Sequence, residues 1–470
     1  MSLDPLQIPM LYGKVAIAAT ALTHALFATF IVGSSLIGVS TETIGWVTRK
    51  ARYERLAHTI GFILILTTAA VSFLGVILIF LLNIFWPRFW STLFRIMFWP
   101  LLLEAIFFLG EAIFAYAWYY SWEWARPREE TCSGAFGDGR VIRTPGVGGC
   151  NRQWGEEGWR KRVHLLFGWL AAGFALAAMM MIDMVASYML TPRPPELLWD
   201  RLFNPTMIHL HLHRWFGNLT WTGFGLSAIC AIAFLRARDH EDQRHYRWAG
   251  GYCFAIGFGA LLVMPVIGYQ YLLRIRYEQP QAFQTLMLGG RSWLFDLVAL
   301  LYGMLIVLGS IYIWKMVRSA AAQPPSFRTF MPVSVAIVVL AAVMFALPYH
   351  LQHVPFASWL TSREILPLGK MQPNKYFAIA GLVIFGVMNW VYFLRSFVGG
   401  TRAPLDSPVV TQLDRPDRWT PKLLILLAVC SIAIYLTMGW VRETARAWNG
   451  YLIYGEISFE DEQPTYDAPR

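Results

Sequence analysis

Ten runs of mostly apolar residues divide this chain, near residues 14–40, 57–85, 94–122, 164–190, 206–236, 248–270, 293–316, 330–349, 375–397 and 422–441. About 20 such residues, wound as an α-helix, cross the hydrocarbon core of a bilayer. Hydrophobic residues make up 56% of the 470, and charged residues only 14%, against about 25% charged in soluble domains. A water-soluble protein with that surface would precipitate, and an aromatic content of 16% excludes a disordered chain. The sequence therefore predicts an all-α fold, a polytopic membrane helix bundle with ten transmembrane segments. Several runs exceed 25 residues, so their helices tilt or project beyond the bilayer. The first run lacks a basic start and continues too long for a cleaved leader.

The net charge of +10 is not spread evenly. Arg49, Lys50, Arg52 and Arg55 follow the first run. Arg126, Arg128, Arg140, Arg143, Arg152, Arg160, Lys161 and Arg162 follow the third. Arg236, Arg238, Arg244 and Arg247 follow the fifth, and Lys315, Arg318 and Arg328 the seventh. Arg395, Arg402, Arg415, Arg418 and Lys422 separate the last two. This alternation is the mark of membrane topology, not of nucleic-acid binding. The positive-inside rule places these loops in the cytoplasm and both termini outside, in a bacterial cytoplasmic membrane. Five cysteines include no CxxC and no CxxCH, which excludes a zinc ribbon and a covalent c-type haem site. Cys132 and Cys150 share a Gly-rich loop on the cytoplasmic side, where free thiols are expected. Residues 1–400 read as one bundle, and residues 401–470 as an added transmembrane helix with an acidic tail from Glu456 to Glu462.

Charges inside a membrane are costly, at least about 2.5–3.5 kcal/mol each, so the intramembrane acids and histidines carry the functional signal. His24 lies in the first run; taken alone, it is a structural histidine or a haem-iron ligand. Glu104 and Glu111 are two helical turns apart in the third run and share one face. Such a pair relays protons, approaches a metal, or is tied to polar groups on neighbouring helices. His209, His211 and His213 open the fifth run. Helical spacing puts His209 and His213 on one face and His211 nearly opposite. His350 and His353 end the eighth run, at the same outer side, so the two histidine clusters are able to converge. Asp183 is an isolated acid in the fourth run, read as a local hydrogen-bonding group. Clustered His and Glu with heavy aromatic content suggest a haem-bearing electron-transfer bundle; a proton-coupled transporter would carry similar acids.

In these positions the chain resembles subunit I of the cytochrome bd-type terminal oxidases. Thr20, Phe27 and Gly33 stand around His24 at the family spacing, as do Phe114 and Trp122 after Glu111. Asn204-Pro205 precedes His213 by the family interval. The motifs are clear over residues 10–270 and weaker from 290 to 397. The resemblance implies that His24 is an axial ligand in an oxygen-reducing di-haem pair. It implies that Glu104 and Glu111 lie beside that pair, in ligation or proton delivery. His213 is implied as a ligand of a low-spin b haem.

The departures redirect those implications. The family's methionine ligand at the start of the seventh helix is matched by Phe295-Asp-Leu-Val298-Ala299, without methionine. The family's quinol loop is short here, at 269–291. Gln279-Pro280 is present, but Ala282 stands at the lysine position and Met287 near the glutamate. Counting back five residues from Pro355 puts His350 where the family has a glutamate haem ligand, and His353 falls where it has arginine. His350 is thus the expected second axial ligand. Copper is a further candidate for His209, His211 and His353, since imidazole suits it. The expected function is a haem-containing subunit, with b-type or d-type haem, passing electrons to oxygen. Cytochrome c or another redox subunit would replace quinol as donor, and a second membrane subunit of the bd type would enclose the haems. The alternative is a non-catalytic haem electron-transfer or structural subunit of a larger redox complex.

Overall fold

The structure, a computed structural model, describes residues 10–125, 158–192, 198–287, 291–318, 325–346, 373–402 and 419–447. Every regular element among them is helical. In chain order the helices are α1 (Met10–Thr48), α2 (Ala51–Phe85), α3 (Pro87–Ile96), α4 (Phe98–Tyr120), α5 (Trp122–Ala125), α6 (Gly158–Tyr188) and α7 (Leu198–Leu202). They continue with α8 (Met207–Arg236), α9 (His240–Glu278), α10 (Pro280–Met287), α11 (Ser292–Arg318), α12 (Pro325–Ala346), α13 (Pro373–Arg402) and α14 (Trp419–Ala447). Among the described residues, ten of these are long and apolar enough to cross a membrane: α1, α2, α4, α6, α8, α9 and α11 to α14. They match the ten apolar runs one for one, and the chain is a multi-pass membrane protein.

Two helical sub-bundles meet along α1 and α8. In one, Ile31, Leu64, Val71, Ala115, Trp118 and Ala171 pack α1, α2, α4 and α6 together. In the other, Phe224, Phe258, Ile306, Val338, Leu382 and Leu427 pack α8, α9 and α11 to α14. The seam between them is filled by Phe30, Ile37, Ile60, Leu226 and Cys253. Lipid is as apolar as leucine, so close packing and polar ties hold membrane helices to each other. Both devices are present. At the α8–α9 crossing a Cβ on Gly223 would stand 2.5 Å from the Gly257 Cα, so only glycine lets the two backbones touch. Nearby, Ser227 Oγ donates to the Gly250 carbonyl at 3.0 Å. Buried Asn389 of α13 joins Ser334 of α12 and Ser310 of α11, at 2.7 and 3.1 Å.

The bundle has two chemically different ends. The α1–α2 turn, with Arg49 at φ 54°, meets the α8–α9 turn through an ion pair between Arg55 and Asp242. This is the arginine-rich end. At the opposite end, α6 hands over to α8 through a buried network of Ser187, Thr191, Asn204 and Thr206. There α10 folds back on the bundle, burying Ala282, Phe283, Leu286 and Met287 against Ile275, Leu294 and Val441. Most of the stretch 269–291 is therefore helix.

Candidate functional site

His24 sits midway along α1, where it crosses α2. The ring lies over Gly75; a Cβ there would come within 3.1 Å of His24 Cε1. His24 Nδ1 is 3.3 Å from the Val71 carbonyl. A carbonyl only accepts, so Nδ1 carries the proton and Nε2 keeps its lone pair. A histidine whose one nitrogen is tied to a carbonyl presents the other as a metal ligand. The second and first helices thus supply both the space and the tautomer.

Glu104 and Glu111 lie on α4, which packs along α6 and against α2. Glu111 is 1% exposed, and its Oε1 has no hydrogen-bond partner among the described residues. An unpaired buried carboxylate oxygen is costly in a dry bundle; it is a group that awaits a proton, a water or a cation. Glu104 is half-buried two helical turns away. The surroundings of His24 and Glu111 share one apolar cluster. Val71, beside His24, and Ala115, one turn after Glu111, belong to it together with Phe27, Phe108, Phe114 and Phe167.

The three histidines of α8 separate as helical spacing predicts. His213 turns toward α9 and lies against Gly268, where a Cβ would make ordinary van der Waals contact 3.8 Å from Nε2. Tyr271 lies on the same side, its ring centroid 5.9 Å from that of His213. His209 is one turn earlier, and its Nδ1 is buried without a hydrogen-bond partner. His211 faces the other way, toward α6, and its Nδ1 is 2.8 Å from Asp183 Oδ2. Arg214 pairs with the other oxygen of Asp183. Asp183 is fully buried and is the counter-charge that holds this part of α8 to α6. Among the described residues no three His, Cys, Asp or Glu side chains gather as a metal-holding group. His350 and His353 lie outside the described residues, as do Cys132, Cys150 and the acidic tail.

At the start of α11, in the stretch Phe295 to Ala299, Asp296 accepts from Lys375 Nζ of α13 at 2.6 Å. Lys375 is buried, so this pair closes that end of the second sub-bundle.

One buried set was not among the sequence-derived candidates. Glu42 of α1 is fully buried at the arginine-rich end. Trp118 Nε1 donates to its Oε2 at 2.6 Å, Lys161 pairs with its Oε1, and His164 Nε2 lies 2.8 Å from the same oxygen. Ser121 Oγ completes the set, 2.7 Å from His164 Nδ1. The signal was present: an acid at the end of the first run faces a lysine and a histidine at the start of the fourth.

The model of the cytochrome bd terminal oxidase subunit I family matches residues 13–136 and 153–287. No curated protein matches the chain. Among solved structures, the bd oxidase from Geobacillus thermodenitrificans is similar at 16% identity, over 93% of this chain and 98% of that chain, with a TM-score of 0.48. The family match spans more than half of the sequence and includes His24, Glu104, Glu111 and His213; the chain belongs to the cytochrome bd terminal oxidase subunit I family.

Proposed function

We propose that this chain is the haem-carrying subunit of a bd-oxidase-type complex in a bacterial cytoplasmic membrane. In this reading it passes electrons to molecular oxygen, with both termini on the outer face. The observation that carries the reading is a histidine whose Nδ1 is tied to a carbonyl and a buried carboxylate with an unpaired oxygen, each next to a member of one apolar cluster. These residues fit a haem: Gly75 lets the His24 ring lie close against α2, and the phenylalanines of the adjoining cluster supply the apolar walls that a porphyrin needs.

His24 would hold one haem iron and His213 another, with His350 as the expected second ligand of the oxygen-reducing pair. When bound, the haems supply the redox chemistry and the position at which oxygen is reduced. The chain's own residues supply the rest. Glu111 holds a proton on its unpaired oxygen, and Glu104 stands between it and the start of α4. Phe27, Phe108, Phe114 and Phe167 keep bulk water from the site. Val71 fixes the His24 tautomer through its carbonyl.

The donor is assigned to a cytochrome or a partner redox subunit. Helix α10 supports this, because the stretch that matches the quinol loop is buried against α9 and α11 and offers no lysine. A second membrane subunit of the bd type would cover the lipid-side faces of the haem sub-bundle. One observation favours the alternative of an electron-transfer subunit without oxygen chemistry. Asp296, in the segment that carries the low-spin haem's methionine in the family, is bound by Lys375, so a haem at His213 would be ligated differently. Haem content and oxygen uptake of the purified complex separate the two. Haem with oxygen uptake supports the oxidase, haem without uptake supports the electron-transfer subunit, and absence of haem contradicts both.

A further inference from the structure

Trp118 stands where α1, α2, α4 and α6 meet, fully buried in the apolar cluster that adjoins His24 and Glu111. It lies on the same face of α4 as Glu111, seven residues or about 10 Å further along the helix. Glycines on two other helices make the space for its ring. A Cβ on Gly38 of α1 would come within 2.8 Å of Trp118 Cη2, and one on Gly168 of α6 within 3.0 Å of Nε1. So held, the indole donates its N–H to Glu42 Oε2 at 2.6 Å.

A buried indole needs an acceptor, but a neutral carbonyl would serve. Here the acceptor is a fully buried carboxylate, a group that is costly to take out of water. Lys161 pairs with it, yet Lys161 Nζ also lies 3.4 Å from Glu54, so one ammonium is divided between two carboxylates. Negative charge fixed beside an indole in a dry bundle lowers the energy of positive charge on the ring, and so makes the ring easier to oxidise. A chain of oxidisable rings leads on from it. Trp118 and Tyr119 both lie against Gly61, where a Cβ would be 3.4 Å from Trp118 Cζ3 and 3.4 Å from Tyr119 Cδ2. Tyr119 meets Tyr120 with ring centroids 5.3 Å apart, and Tyr120 is 70% exposed at the arginine-rich end of α4. Trp122 is the other aromatic neighbour of Trp118, 5.9 Å away between centroids. Lys161 Nζ stands 5.2 Å from the Trp122 ring, and that cation disfavours oxidation there. The favoured order is therefore Trp118, Tyr119, Tyr120, from the buried cluster to the surface.

We propose that Trp118, Tyr119 and Tyr120 form an escape route for oxidising equivalents, with Glu42 stabilising the oxidised form of Trp118. The proposal rests on the reading of the His24 region as the place where oxygen is reduced. Such a site is left strongly oxidising whenever the supply of electrons stops part-way. One electron then passes from Trp118 to the site, and the Nε1 proton shifts to Glu42 Oε2. Tyr120 returns an electron to Trp118 through the ring of Tyr119, and the proton moves back from Glu42 to Nε1. Tyr120 releases its hydroxyl proton to water and is restored by a hydrogen atom from a soluble thiol. Two thiols used in this way join as one disulfide for every two electrons passed. The damage-prone residues of the buried cluster are thereby spared, and the oxidation ends in solvent.

The test uses the full chain purified in detergent with its partner subunit, mixed with hydrogen peroxide, frozen, and read by electron paramagnetic resonance. Wild type should show a radical whose line shape changes when the tryptophan rings are deuterated. Trp118→Phe, which keeps an aromatic ring between the glycines, should lose that signal. Glu42→Gln, which keeps an acceptor for the N–H but not its charge, should weaken it. A nitroso spin trap mapped by peptide mass spectrometry should be found on Tyr120 in wild type, and be lost from that position in Tyr120→Phe and in Trp118→Phe. Tyr120 is exposed, so its variant tests the route without disturbing the buried cluster. The haem spectrum should be the same in all three variants. An indole radical or a Tyr120 adduct that survives Trp118→Phe would overturn the proposal. So would a haem-bearing complex that consumes peroxide and yields no indole radical. A signal as strong in Glu42→Gln as in wild type would overturn the part given to Glu42. A complex without haem bands contradicts the functional reading itself, and this proposal with it.

Discussion

At the scale of single residues, the chain places charge inside an apolar bundle at a few points, and each is either fully partnered or pointedly unpartnered. Asp183 is of the first kind. It is fully buried and answers both His211 and Arg214. Removing one partner of a buried ion pair leaves the other uncompensated, at about 3–5 kcal/mol. Asp183→Ala should therefore lower the unfolding free energy of the purified protein by about that amount, read from denaturant or thermal unfolding in detergent. Glu111 is of the second kind. Glu111→Gln keeps its shape but cannot carry a transferable proton. Proton-transfer groups contribute about 10²–10⁴-fold, so oxygen uptake should fall at least about 100-fold with haem content unchanged. Uptake within twofold of wild type would remove Glu111 from the mechanism. The acids and histidines in the apolar runs were legible because a charge there has no cheap explanation. Glu42 escaped for the opposite reason. Lys161 sits among the loop arginines and reads as topology, and only the folded bundle shows that it turns inward with His164 to meet the acid.

At the scale of helices, the apolar runs located every crossing but not its ends. The run at 248–270 became α9, spanning His240–Glu278, because Tyr246 and the flanking arginines can continue a helix while their polar tips reach the interface. The run at 94–122 is broken at Met97 and Ser121 into α3, α4 and α5; Pro87 starts α3, whose Phe89 and Leu93 pack onto Val185 and Tyr188. Hydropathy alone does not see such breaks, since both sides of Met97 are apolar. The separation of His211 from His213, by contrast, followed directly from 3.6-residue geometry. The tightest helix pair rests on glycine. Gly223→Leu should force α8 from α9 and destabilise the protein by about 1–3 kcal/mol, the usual cost of overpacking, with a lower melting temperature as the readout. A variant as stable as wild type would mean that the two helices do not meet backbone to backbone.

At the scale of the whole molecule, loop charge gives an orientation that the helices themselves do not. With the arginine-rich end in the cytoplasm, a thiol placed at Lys50 by Lys50→Cys, in a background with Cys132 and Cys150 replaced, should resist a membrane-impermeant reagent in intact cells. It should label after permeabilisation. Labelling in intact cells would invert the topology. The family was legible in the sequence because His24, Glu104, Glu111 and His213 keep their spacing on the right helices. The expected partner of His24, His350, rests on the sequence pattern alone, as does the convergence of His350 and His353 with α8, because both lie outside the described residues.

The central claim is that His24 holds a haem at which oxygen is reduced. Reduced-minus-oxidised spectra of the purified complex, taken with and without carbon monoxide for wild type and His24→Ala, test it most directly. The account predicts haem bands and a carbon monoxide shift in wild type, and loss of that shift in the variant while the bands of a His213 haem persist. Haem bands without any carbon monoxide response, or a response that survives His24→Ala, would contradict it.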